Sequence, residues 1–125
     1  MNDTRTAVET ALSSPGHDFP AVQLVELVER AAARLMRRQL APGQNSVAVA
    51  MNVRHVADTD TPFADWHVTV RLTAVRGRLH DFVVEVRDDS GLIARAEHTR
   101  AVVVEHRLLA MARRRVGHPA MLLQA

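Results

Sequence analysis

The sequence predicts a two-layer α+β domain, one long helix packed on an antiparallel sheet. Three observations predict it. Apolar residues recur at the helical period over residues 20–40, PAVQLVELVERAAARLMRRQL. From Ser46 onward the period falls to two and stays there through four segments. Turn chemistry separates those segments, including the hairpin signal Asp88-Asp89-Ser90-Gly91. A helix with this much apolar surface must be covered, and a sheet that wraps it does so.

In chain order, residues 1–12 contain TAVETAL, read as a short strand, and residues 13–19 (SSPGHDF) are turn chemistry. Pro20 suits the first turn of the helix, and Ala41-Pro42-Gly43-Gln44-Asn45 stops it. At about 100° per residue, Val25, Val28, Ala31, Ala32, Leu35 and Met36 share an apolar face, and Gln23, Glu26, Arg30, Arg34, Arg37 and Arg38 lie opposite. Glu29 breaks the pattern by projecting into the apolar face between Val22, Val25 and Met36. A carboxylate there loses hydration unless it finds a donor.

The next strand, Ser46–Val56, alternates Val47, Val49, Met51 and Val53 against Ala48, Ala50, Asn52 and Arg54, with His55 in phase with the apolar set. After a connection over Ala57–Asp65, the strand Trp66–Val75 turns Trp66, Val68, Val70 and Leu72 one way. Arg76-Gly77-Arg78 makes a turn into Leu79–Arg87, where Phe82, Val84 and Val86 are in phase. Leu92–Val104 ends in the apolar run AVVV, which reads as an edge in need of protection. Residues 105–116 are helical and basic, Gly117-His118-Pro119 ends them, and the last six residues are loose. Residues 1–125 form one domain with its core at about 19–115.

Composition excludes several functions. With no cysteine there is no disulfide, thiolate metal site or cysteine nucleophile. All 16 basic residues are arginine, so no Schiff-base or P-loop lysine exists. The isoelectric point near 10.8 overstates the charge, which is only +2, too weak a field for a dedicated nucleic-acid binder. Three Phe, one Trp and no Tyr give no platform for stacking bases. The serines stand at turns, without a nucleophile elbow, and there is no Gly-rich phosphate loop. The seven histidines lack metal-ligand spacing. No segment reads as a membrane span or secretory leader, and a cytoplasmic location is expected.

The segments VELVERAAARLM, LAPGQNSVAVAMNVRHVADT and EHTRAVVV occur in this order, and together they resemble the small thioesterases related to fluoroacetyl-CoA thioesterase. The resemblance runs from about Phe19 to Arg115. It implies the hotdog fold, with a central helix wrapped by an antiparallel sheet of about five strands. It also implies hydrolysis of an acyl-CoA or acyl-carrier thioester, with coenzyme A as part of the substrate and no other cofactor. In that family a helix glutamate precedes a strand histidine by a fixed distance, and an arginine precedes the late apolar run. Glu29, His55 and Arg100 fall at those positions. Ala21 and Ala48 take substrate-binding positions with Arg100. The family's best-known type has a threonine two helical turns before the glutamate; Ala21 stands there instead. Hotdog domains pair their sheets edge to edge with sites at the interface, so the resemblance implies a homodimer or homotetramer.

The candidates have catalytic or binding readings and structural ones. Glu29 is a general base or nucleophile at a thioester carbonyl, or a rim carboxylate paired with a surface arginine. His55 moves a proton or orients Glu29 or a water, or it is a core-edge histidine satisfied by a carbonyl. Arg100 holds Glu29 or the site loops, contacts the phosphates of coenzyme A, or makes an ordinary cross-strand pair. His98, two residues earlier on the same face, is read as structural. Arg113-Arg114-Arg115, with His106 and Arg107, bind phosphates or form a solvated helix face. First-turn amides around Ala21–Gln23 are available to an oxyanion. The leading reading is an acyl-CoA thioesterase. The second is a non-catalytic acyl-CoA or small-molecule binding protein on the same fold, supported by Ala21. A hotdog hydratase lacks its helix aspartate here, and a nucleic-acid module is weakest.

Overall fold

The computed structural model describes residues 6–10 and 20–116. The elements are β1 (Thr6–Thr10), α1 (Pro20–Arg37), β2 (Gln44–His55), β3 (His67–Arg76), β4 (Leu79–Asp88), β5 (Gly91–Val104) and α2 (Glu105–Val116), with a 3-10 turn at Phe63–Asp65. Four long strands and short β1 form an antiparallel sheet in the order β1-β3-β4-β5-β2. The expected turn at 13–19, the stop at 117–119 and the last six residues lie outside the described residues.

α1 lays Leu24, Leu27, Val28, Ala31, Ala32, Leu35 and Met36 against one face of the sheet. The sheet answers with Trp66, Val68, Val70 and Leu72, then Phe82, Val84 and Val86, then Ala94 and Ala96. Each large side chain among them contributes about 1.5–3 kcal/mol relative to exposure. The core face of α1 is rotated from the one expected. Leu24 and Leu27 are buried, whereas Val25 is 44% exposed. The core stripe runs through Leu24, Leu27, Val28 and Ala31, so Val25 and Glu29, one turn apart, share its margin. The helix also ends at Arg37, three residues early. The Arg38 and Gln39 N–H groups bond the carbonyls three residues back, at 3.3 and 2.8 Å, closing the last turn ahead of Pro42.

β2 departs from simple alternation. Ala48 pairs with Arg100 and Ala50 with Thr99, leaving Val49 as an extra residue in a bulge. Directly opposed residues share a face, and the helix-facing residues of β5 are Ala94, Ala96, His98, Arg100 and Val102. Their partners on β2 are His55, Val53, Met51, Ala48 and Ser46. Val47 therefore does not share a face with Met51, Val53 and His55, and Val49 is 56% exposed. A second correction concerns the sheet edge. β5 is interior, between β4 and β2, and the long edge strand is β2.

The β4–β5 hairpin turns on Asp88, whose Oδ1 accepts the Ser90 and Gly91 N–H groups at 2.8 and 3.1 Å. Gly91 has φ +135°, a conformation side chains resist. Thr59 also donates its hydroxyl to Asp88, tying the β2–β3 connection to this hairpin. Trp66 anchors the same connection, donating Nε1–H to the Thr61 carbonyl at 3.0 Å and packing on Phe63 at 5.2 Å.

Candidate active site

The helix-facing side of β5 is apolar except at His98 and Arg100, which are 2% and 4% exposed. A guanidinium this deep is stable only if its donors and charge are matched. Arg100 donates Nε–H to Ser46 Oγ at 2.9 Å and Nη2–H to the Ser46 carbonyl at 3.1 Å. Its Nη1 donates to Glu29 Oε1 at 2.9 Å and to His98 Nε2 at 3.3 Å. The Glu29 side chain is 43% exposed, so the pair spans from the core to the surface. Glu29 is thus paired, but with a buried arginine on the sheet and not with a surface one.

His98 completes the cluster. Its Nδ1 lies 2.9 Å from the Ala50 carbonyl. Burial pushes its imidazole below the usual histidine range; the Ala50 carbonyl pulls the other way, and the Arg100 charge pushes further down. The ring was read from sequence as structural; the structure wires it to Arg100. Ser46 escaped sequence reasoning altogether, because it looked like a turn serine. The signal for His98 was the parity it shares with Arg100 on a strand whose other inward residues are all apolar.

The bulge at Val49 shapes this site. Ser46 and His55 differ in parity, so an unbroken strand would turn one of them away from α1. The extra residue lets Ser46 hold Arg100 while His55, nine residues later, still faces the helix side. His55 stands at the open end of β2. Its side chain is 45% exposed, with Nε2 3.9 Å from Asp58 Oδ1. It shares a cleft of about 430 Å³ with Ala21, Leu24, Val25, Met51 and Val53. An adjoining cleft of about 390 Å³ shares Leu24 and His55 and extends to Phe63 and Trp66.

The structure therefore brings Glu29, Ser46, His98 and Arg100 into one cluster, and places His55 with Ala21 in the cleft beside it. Val25, one turn before Glu29, lines that cleft. Ala48 is exposed opposite Arg100. The basic residues of α2 lie elsewhere. The Glu105 N–H bonds the Gly43 carbonyl at 3.0 Å, so α2 starts at the end of β2 remote from His55. There Arg78 and Arg107 line a separate cleft with Met111, and Arg113 and Arg114 are exposed. Among the described residues, no three His, Asp or Glu side chains are grouped to hold a metal ion. No described helix is long and apolar enough to cross a membrane.

A helix laid on one face of an antiparallel sheet in this strand order, with a polar cluster between them, defines a hotdog-like domain. A hot-dog-like protein from Thermanaerovibrio acidaminovorans superposes with a TM-score of 0.71 at 21% identity, covering 89% of this chain and 88% of that one. The chain belongs to the FlK family, fluoroacetyl-CoA-specific thioesterase, whose model matches residues 2–106. The structure of the fluoroacetyl-CoA thioesterase FlK superposes with a TM-score of 0.75 at 26% identity, covering 91% of this chain and 96% of that chain. The fluoroacetyl-CoA thioesterase of Streptantibioticus cattleyicolor is 36% identical over 90 residues, 69% of this chain. That alignment spans 64% of the enzyme's length.

Proposed function

We propose that this protein is a cytoplasmic acyl-CoA thioesterase that works as a homodimer, with Glu29 and His55 as its reacting residues. The observation that carries the reading is the Arg100–Glu29 pair, one helical turn along α1 from Val25, which lines the apolar cleft that holds His55. The cleft supplies a dry wall for an acyl group. Glu29, aimed by a buried arginine, activates water or attacks the thioester carbonyl. His55, solvent-accessible at the cleft mouth, delivers the proton that the departing thiolate needs. First-turn amides of α1 near Ala21–Gln23 face the developing oxyanion. Ala48, opposite Arg100, gives room for substrate, and coenzyme A enters only as part of that substrate. Exposed edge strand β2 is where a second copy pairs.

Thiol release from a panel of short, long and aromatic acyl-CoAs tests this. Glu29→Gln and His55→Ala are each expected to lower kcat by about 10²–10⁴-fold with the fold retained. Full turnover by Glu29→Gln sinks the assignment. A second reading has one specific observation in its favour. The cleft presents the methyl of Ala21 where the family type presents a hydroxyl. On that reading the protein binds an acyl-CoA without cleaving it, and thermal stabilisation by one acyl-CoA without thiol release identifies it.

A further inference from the structure

His98 is a buried titratable group that the reaction above does not use. Its surroundings leave it a single protonation state. The Ala50 carbonyl can only accept, so the Nδ1 facing it at 2.9 Å must carry a proton. The Arg100 guanidinium can only donate, so the Nε2 facing it at 3.3 Å must be bare. The ring is therefore neutral, in the Nδ1–H tautomer. The other groups packed around it fit that state. Phe82 on β4 lies with its ring centroid 6.5 Å away, and Met51 is the opposed residue on β2. Glu29 from α1 shares Arg100 with the ring; its charge favours the imidazolium but is outweighed, and the net shift is downward with burial the largest cause.

The carbonyl that receives Nδ1–H belongs to Ala50, the residue after the bulged Val49. A bulge disrupts the ladder locally, which leaves a carbonyl available to a side chain. Ser46 holds the Nε and Nη2 side of Arg100. Glu29 and His98 divide the two protons of Nη1 between them. Without His98, one Nη1 proton lacks an acceptor, and the guanidinium is free to swing about the Ser46 contacts.

We propose that His98 is a positioning residue, held neutral between the Ala50 carbonyl and Arg100, that fixes the guanidinium plane in which Arg100 presents Glu29. The proposal rests on Glu29 being the reacting carboxylate.

The test uses the full chain. In ¹⁵N-histidine-labelled protein, one ring, assigned by its disappearance in His98→Asn, is expected to show the neutral Nδ1–H tautomer throughout pH 6–8. Asn keeps a donor for the Ala50 carbonyl but falls short of Arg100. Gln places an acceptor within reach of Arg100. His98→Asn is therefore expected to lower kcat roughly 10–100-fold with KM within about twofold, the loss of one hydrogen bond to a charged group. His98→Gln should recover most of that loss. An imidazolium or an Nε2–H ring at pH 7 in the unmutated protein overturns the proposal without any variant. So does wild-type kcat in His98→Asn, or equal loss in Asn and Gln variants, which marks a purely structural ring. If Glu29→Gln keeps its activity, the Glu29 reading fails and this one with it. If Glu29→Gln is inactive and His98→Asn is not, only the positioning role fails.

Discussion

Ala21 is the residue at which sequence and structure bear most directly on activity. It is exposed on the first turn of α1 and lines the cleft with His55, two helical turns before Glu29. A hydroxyl there would face the same space without displacing a core atom. Ala21→Thr is expected to raise kcat about two- to tenfold, the worth of one added hydrogen bond in the transition state, with unfolding in urea unchanged. Unaltered or lower turnover would show that the hydroxyl has no role in this cleft. Glu29 stood out in the sequence because a lone carboxylate interrupted the expected apolar stripe; the structure puts it at the margin of the core stripe, its side chain 43% exposed. Arg100 was legible only through the family resemblance. Ser46 and the role of His98 were not legible, since both act through a partner 54 and 2 residues away and neither breaks a pattern alone.

Among the elements, β2 shows where periodicity misleads. Val47, Val49, Met51 and Val53 alternate without fault, yet the bulge at Val49 divides them between faces. Nothing in the local composition marks a bulge, because Val49 is a good strand former; the pairing with β5 determines it. The existence of both helices and of the β3–β4 hairpin was legible from period and turn chemistry, whereas the core face and the last turn of α1 were not. That hairpin carries a further prediction. Asp81 accepts Arg76 Nε–H and Nη2–H at 2.7 and 2.8 Å and the Thr99 hydroxyl at 2.7 Å, linking β3, β4 and β5. The Arg76 hydrogen bonds, and then Thr99, hold its carboxyl at about 2, below the ordinary 3.8. A carboxylate depressed in the folded state contributes stability above the unfolded value and loses it as pH falls through the folded one. Wild type should therefore lose Tm between pH 4 and pH 2 more steeply than Asp81→Asn, and be the more stable of the two above pH 4. Calorimetry at pH 5, 4, 3 and 2 checks this; parallel curves would remove Asp81 from the acid response.

At the scale of the whole molecule, the question is which strand is left open. The run AVVV pointed to β5 as the edge, because an apolar strand draws attention and strand order is not written in local pattern. The sheet instead buries β5 and ends on β2, twelve residues long, with Val49 56% exposed in the strand and Val56 equally exposed just past its end. β1, at the other edge, has only five residues. A long apolar edge invites pairing with another chain. Two copies related by a two-fold axis must pair such a strand antiparallel, so that the Gln44 end of one meets the His55 end of the other. The cleft would then open at the interface, and its chemistry would depend on assembly. Sedimentation at micromolar concentration is expected to show a dimer. Val49→Asp, which puts like charges near the middle of both strands, should shift it toward monomer and lower turnover with it, while far-UV circular dichroism stays native. A monomeric wild type would refute pairing through β2. A monomeric Val49→Asp that keeps full turnover would leave the dimer in place but confine the reaction to one chain.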